Sequence, residues 1–293
     1  LISANADVNF CNGDGWTALL SATQNGKLEA LSTLIEADAD VNARSDGGGL
    51  GVLWRAPTGK IVEALIAARA NVNSTDKVGS TVLMNAASEG RLDAVRELIE
   101  AGACINDKNY SGDTVLHKAL ASTDVSASVK DIVEVLLGAN VDVNCVNRKN
   151  ETVLHIGARN RNIHAVTLEM LLNTGAPVNH QNFEGKTALH IALETKSMEK
   201  VQLLISRGAD LDVRDHEGMT MLVRSAKTLN TAAVEALLAA GARWHADHLC
   251  EIETFYDICR EGNSLESVTG CEKIIELLIT AKADVNPKQR PYT

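Results

Sequence analysis

The chain has 293 residues, of which 45% are hydrophobic and only 3% aromatic, and its formal charge is −10. That acidic balance argues against a general binder of nucleic acid or acidic membranes, and no stretch approaches the roughly 18 apolar residues of a membrane span. The six cysteines (Cys11, Cys104, Cys145, Cys250, Cys259 and Cys271) lack paired spacing and no basic-plus-apolar leader opens the chain, so a reducing, intracellular and cytoplasmic setting is expected.

A length of this kind ordinarily suggests two domains, but one outline recurs along the sequence and points to a single array over 1–293. Residues 1–9 read as the tail of a unit whose first helix is missing, so the chain is expected to be a segment of a longer one. The first full unit is 10–42, with a box at Thr17–Leu20. The second, 43–73, is shortened and degenerate, carrying DGGGLGVLW in place of the box. Unit 74–106 returns to register at Thr81–Met84. Unit 107–144 has its box at Thr114–His117 and runs about five residues over a period of about 33, around Ser122–Ser128. Units 145–179, 180–212 and 213–245 carry boxes at Thr152–His155, Thr187–His190 and Thr220–Val223. The last, 246–286, diverges until its regular end, and 287–293 is a tail with two prolines.

The unit 180–212 shows the logic. The Thr187 hydroxyl can take up unpaired N–H groups of a first turn, and Leu189, Ile191 and Ala192 face the stack. Gly26 and Gly90, each nine residues after the box threonine of its own unit, suit a left-handed turn between helices. Val201, Leu203, Leu204 and Ile205 supply a second helix, which Gly208 ends, as Gly102, Gly175 and Gly241 do elsewhere. An Asp-x-Asn step and the residues up to the next glycine then form a projecting loop.

Six such boxes with matching endings resemble the ankyrin-repeat family over essentially the whole chain. The resemblance implies an all-α solenoid: about eight units, each two antiparallel helices plus a β-hairpin loop, in a curved stack. The family's box proline is replaced by Ala18, Val82, Val115, Val153, Ala188 or Met221, which should cost stability without changing the fold. Arg161, Lys196 and Leu229 stand where the inter-helix glycine is expected, so looser or rebuilt turns are expected there.

Little in the sequence speaks for chemistry. His117, His155 and His190 lie about a repeat apart, roughly 10 Å along a stack, too far to share one ion at bond lengths of about 2 Å. The family resemblance gives such histidines a structural role, bonded to backbone and to the box threonine. His245, His248 and Cys250, with Cys259 and Cys271, form the best metal candidate but lack CxxC or HxxxH spacing, so no metal is assigned. Asp46–Gly51 has the glycines of a phosphate loop without the Gly-Lys-Ser/Thr that would follow. No nucleophile, base and acid set is legible, so no catalysis and no cofactor are expected.

Recognition is expected at the loop tips, where the scaffold fixes Asp or Asn, Gly and Thr and leaves other positions free. Trp16, Lys108, Tyr110, Arg148, Lys149, Phe183, Lys186, Arg214, His216 and Met219 are the candidate partner-binding residues, because aromatic and Arg anchors are what hot spots are made of. The row from Lys108 to Arg214 is more basic than the chain as a whole, which suggests an acidic partner segment. Asn42, Asn73, Asn106, Asn144, Asn179 and Asn286 each lie eight residues after a leucine, similar to the pattern an asparaginyl hydroxylase modifies in ankyrin proteins. Hairpin asparagines bonded to their own loop account for the same pattern. The expected function is that of a non-enzymatic, monomeric scaffold binding a protein or peptide through its loops and concave helix face. The alternatives are a substrate-recruiting module of a multidomain enzyme, such as a ubiquitin ligase or kinase, and a cytoplasmic region of a membrane protein.

Overall fold

Repetition in the sequence becomes repetition of helix pairs. The structure, a computed structural model, describes residues 6–45, 50–123, 128–244 and 265–281. The metal candidates His245, His248, Cys250 and Cys259, as well as Asn286, lie outside the described residues. The chain divides into two compact units, residues 1–148 and 149–293.

The first unit holds α1 (Ala18–Gln24), α2 (Leu28–Glu36), a 310 turn (Val52–Arg55), α3 (Gly59–Ala67), α4 (Val82–Ser88), α5 (Leu92–Glu100), α6 (Val115–Leu120) and α7 (Ser128–Gly138). First helices form one row, α1 on the 310 turn on α4 on α6, and second helices form another, α2 on α3 on α5 on α7. The second unit holds α8 (Val153–Arg159), α9 (Ala165–Asn173), α10 (Ala188–Glu194), α11 (Met198–Ser206), α12 (Met221–Lys227), α13 (Thr231–Ala239) and α14 (Leu265–Thr280). There α8, α10 and α12 make one row, with α9 on α11 and α13 on α14. Between these rows lie fully buried aliphatics such as Leu31, Leu65, Leu98, Leu116, Leu171 and Leu204, each contributing about 1.5–3 kcal/mol by leaving water. Among the described residues no strand forms; the loops close on isolated bridges such as Cys11–Thr17 and Thr75–Thr81.

Box threonines open the first helices. Thr17 Oγ1 accepts the Leu20 N–H at 3.2 Å and Thr81 Oγ1 that of Met84 at 3.2 Å. Where the box ends in histidine the cap is reciprocal: Nδ1 of His117, His155 and His190 lies 2.9, 2.8 and 2.9 Å from Oγ1 of its threonine and also accepts the threonine N–H.

The inter-helix turns depart from the expectation of looseness at two of three places. Lys196 and Leu229 adopt the left-handed conformation themselves, with φ 57° and 51°, close to Gly26 at 67°. Their turns close with the bonds used at Gly26, Ser197 N–H to Ala192 O and Asn230 N–H to Ser225 O matching Lys27 N–H to Ala22 O. Tertiary packing holds side-chain-bearing residues where glycine is cheaper. Only the turn at Arg161 is rebuilt: Asn160 leaves α8 extended, and Lys200, buried on α11, donates to the carbonyls of Gly157 (2.8 Å) and Asn160 (2.6 Å). A lysine ammonium thus satisfies carbonyls at the end of α8.

The Asp-x-Asn steps also differ from a purely local reading. The aspartate orders its own loop, as Asp40 Oδ1 does by accepting the Asn42 N–H at 2.9 Å. The asparagine instead reaches the next repeat: Asn42 accepts from Asn71 N–H at 2.8 Å, Asn73 from Cys104, Asn106 from Asp142 and Asn179 from Asp210.

Candidate partner-binding loops

Five of the loops are built around an Asn or Asp at the first position. Asn12, Asp76 and Asn109 in the first unit, and Asn182 and Asp215 in the second, accept on Oδ1 the N–H groups two and four residues later. A positive φ three residues on, as at Gly79 (77°) and Gly185 (72°), completes the turn; Asn150 takes the same role at 56°.

Successive loops are stitched together by backbone. In the first unit Tyr110 N–H donates to Val78 O at 3.0 Å and Arg148 N–H to Ser111 O at 2.8 Å. In the second, Phe183 N–H donates to Lys149 O at 3.1 Å and His216 N–H to Glu184 O at 3.0 Å. The Tyr110 ring lies on the preceding loop, so a Cβ at Gly79 would come within 2.8 Å of it, and Gly185 stands likewise against His216. Tyr110, Arg148, Phe183 and His216 therefore occupy one equivalent position, brought side by side within each unit.

Their surroundings sort the candidates. Tyr110 and Phe183 stay 64% and 66% exposed, large apolar rings held on an ordered backbone. Arg148, Lys149, His216 and Lys108 are exposed, the last with Nζ 3.5 Å from Val146 O. Trp16 is half-buried beneath the Arg55 guanidinium, 4.3 Å from the ring centre. Lys186 is half-buried and bridges Glu184 and Glu194 at 2.9 Å each, so its charge is matched within the repeat. Arg214 and Met219 are half-buried, Arg214 donating to Gly218 O at 2.7 Å. Sequence reasoning passed over Phe10, at 70% the most exposed aromatic ring among the described residues; it precedes the first loop, and only its rarity among nine aromatics could have flagged it.

Two of the box histidines are held as neutral caps. His155 and His190 are buried, and burial lowers both imidazoles to about 4. With Nδ1 accepting, the proton sits on Nε2, which in His155 donates to Lys186 O at 3.0 Å and so joins two repeats. Among the described residues no group of three His, Cys, Asp or Glu side chains converges as for a metal ion, and no helix is long and apolar enough to cross a membrane.

Comparison with known proteins agrees with this architecture. The family model for ankyrin repeats (3 copies) matches residues 52–127, 123–215 and 154–248, and that for a single ankyrin repeat matches 14–46. These stretches cover well over half of the chain, which belongs to the ankyrin-repeat family, a family of protein-interaction modules. Neurogenic locus notch homolog protein 1 of Xenopus laevis is 30% identical over 192 residues, 55% of this chain and 7% of that protein. The B-cell lymphoma 3 protein homolog of Mus musculus is 35% identical over 117 residues, 39% of this chain and 26% of that one. E3 ubiquitin-protein ligase KEG of Arabidopsis thaliana is 30% identical over 160 residues, 53% of this chain and 10% of the ligase. The chain thus spans a minor part of the length of these relatives. The crystal structure of the ankyrin repeat domain of Bcl-3 aligns with TM-score 0.60 and 26% identity, covering 71% of this chain and 93% of that domain.

Proposed function

We propose that the chain is a non-enzymatic scaffold that binds a protein or peptide partner through its loop tips and first-helix rows, acting by surface complementarity. One observation carries this reading: Tyr110 and Phe183 are large, exposed rings on loops whose backbones are bonded to the preceding loop and to their own first residue. Holding an apolar ring in water on a rigid platform suits recognition, because little conformational entropy remains to be lost on binding. Arg148 and Lys149 flank the rings in sequence position and favour a partner segment of acidic character. A monomeric, cytoplasmic setting is part of the same proposal.

A second reading is favoured by the small fraction of each relative that this chain spans, and by a ubiquitin ligase standing among them. In it the array recruits substrate for chemistry housed in another part of a longer protein. Both readings place recognition on the loops. Affinity capture with wild type and with the Tyr110→Ala, Phe183→Ala double variant tests it. Loss of the partner that wild type recovers, with an unchanged circular dichroism spectrum, is expected; equal recovery would move recognition off these loops.

A further inference from the structure

The degenerate second repeat leaves a gap. Where α1 and α4 have seven residues, the first-helix position between them in the row holds only the four-residue 310 turn Val52–Arg55. A cleft of about 620 Å³ opens there, lined among others by Gln24, Trp54, Arg55, Asp76, Glu89 and Arg91. Its walls carry donors without acceptors. Trp54 is 7% exposed and its indole N–H has no partner, nor have Arg55 Nε and Arg91 Nη2, all shielded from solvent.

Both guanidiniums are fixed by their other arms. Arg55 donates to Gln24 Oε1 at 3.0 Å and Ser45 Oγ at 2.9 Å while lying over Trp16, and Arg91 Nη1 donates to Ala56 O. Neighbouring carboxylates do not use up the spare donors. Asp76 Oδ1 is taken by the amides of Val78 and Ser80, and Glu89, half-exposed, sits 3.0 Å from Arg91 Nε without the alignment of a hydrogen bond. Burial works against the charge on both arginines, opposed at Arg91 by Glu89. Buried polar groups are normally paired, so three idle donors of one kind on one cleft call for an acceptor from outside.

We propose that this cleft is a subsite for a single carboxylate side chain, Asp or Glu, of the bound partner peptide, gripped by Arg55 and Arg91 and by the Trp54 indole N–H. This rests on the reading of the chain as a peptide-binding scaffold and names a residue class that the partner carries. Guanidinium forks match carboxylates in shape as well as charge. The net charge of −10 repels acidic chains at long range, so the attraction is local to the cleft.

The test uses the isotope-labelled chain and an acetylated, amidated tetraglutamate peptide as probe. Tetraglutamine and inorganic phosphate are the comparisons. The Trp54 indole signal and the Nε–H signals of Arg55 and Arg91 should shift saturably with tetraglutamate and stay still with tetraglutamine. Arg91→Gln should weaken this binding by at least about tenfold. Trp54→Phe keeps the ring and removes only the donor, so it should weaken binding several-fold without lowering the melting temperature, which guards against a merely unfolded variant. Still signals with tetraglutamate, movement with phosphate alone, or undiminished affinity in Trp54→Phe would each overturn the proposal. The two readings fail separately. Partner capture lost with Tyr110→Ala, Phe183→Ala but kept with Arg91→Gln leaves the scaffold standing and removes the cleft; a cleft that binds tetraglutamate while the loop variants capture normally does the reverse.

Discussion

His155 and His190 occupy caps that accept only the neutral imidazole, because Nδ1 must receive the N–H of Thr152 or Thr187 while the ring is out of water. The folded value of about 4 lies below the ordinary 6.5, so on acidification the unfolded chain takes up protons first. Stability from these caps is complete above about pH 6.5 and drains as pH falls toward 4. Between about pH 7 and pH 5 the loss is on the order of 2 kcal/mol per histidine. Chemical denaturation across that range should show this slope, and His190→Gln should flatten it; an unaltered slope in the variant would refute the assignment. The threonine–histidine caps were legible because their partners are three residues apart. The reach of Asn73 to the Cys104 amide and of Asn179 to that of Asp210 was not, since each spans about a repeat and looks in sequence like a loop asparagine.

Helix pairs follow from periodic aliphatics, a threonine at one end and a left-handed residue at the other, and the first helices of the six boxed units begin directly after their threonines. The turns show where that reasoning thins. A glycine signals the left-handed conformation, but Lys196 and Leu229 are forced into it by the elements they join, which composition does not reveal. Lys196 is exposed and uses its side chain for no bond at the turn. Lys196→Gly should therefore raise stability by about 0.5–1 kcal/mol in urea denaturation; a loss would mean that the lysine stem contributes packing. Lys200 was equally hidden. A lysine on a second helix reads as a solvated residue, and only the extended exit from α8 at Asn160 explains why its ammonium is wanted inside. The cleft at the 310 turn has the same origin: DGGGLGVLW signalled a missing box, whereas the idle donors of Trp54, Arg55 and Arg91 arise from residues that meet only in three dimensions.

At the scale of the molecule, repeats within each of the two units are held together through buried aliphatics, the asparagine ladder and the loop-to-loop backbone bonds, so the stability of each unit is a sum of local terms. Tyr110, Phe183 and Arg148 lend their backbones to that sum while their side chains stay outside. The chain is thereby proposed to divide into residues that build and residues that recognise. Thermal melting of single variants, read beside partner capture, tests that division most directly. Asn179→Ala removes the bonds to the Asp210 amide and the Gly208 carbonyl and should cost about 1 kcal/mol, lowering the melting temperature by a few degrees. Tyr110→Ala and Phe183→Ala should stay within about 0.5 kcal/mol of wild type in stability while capture falls. Melting temperatures that drop as far for the two aromatic variants as for Asn179→Ala, with capture intact, would contradict it.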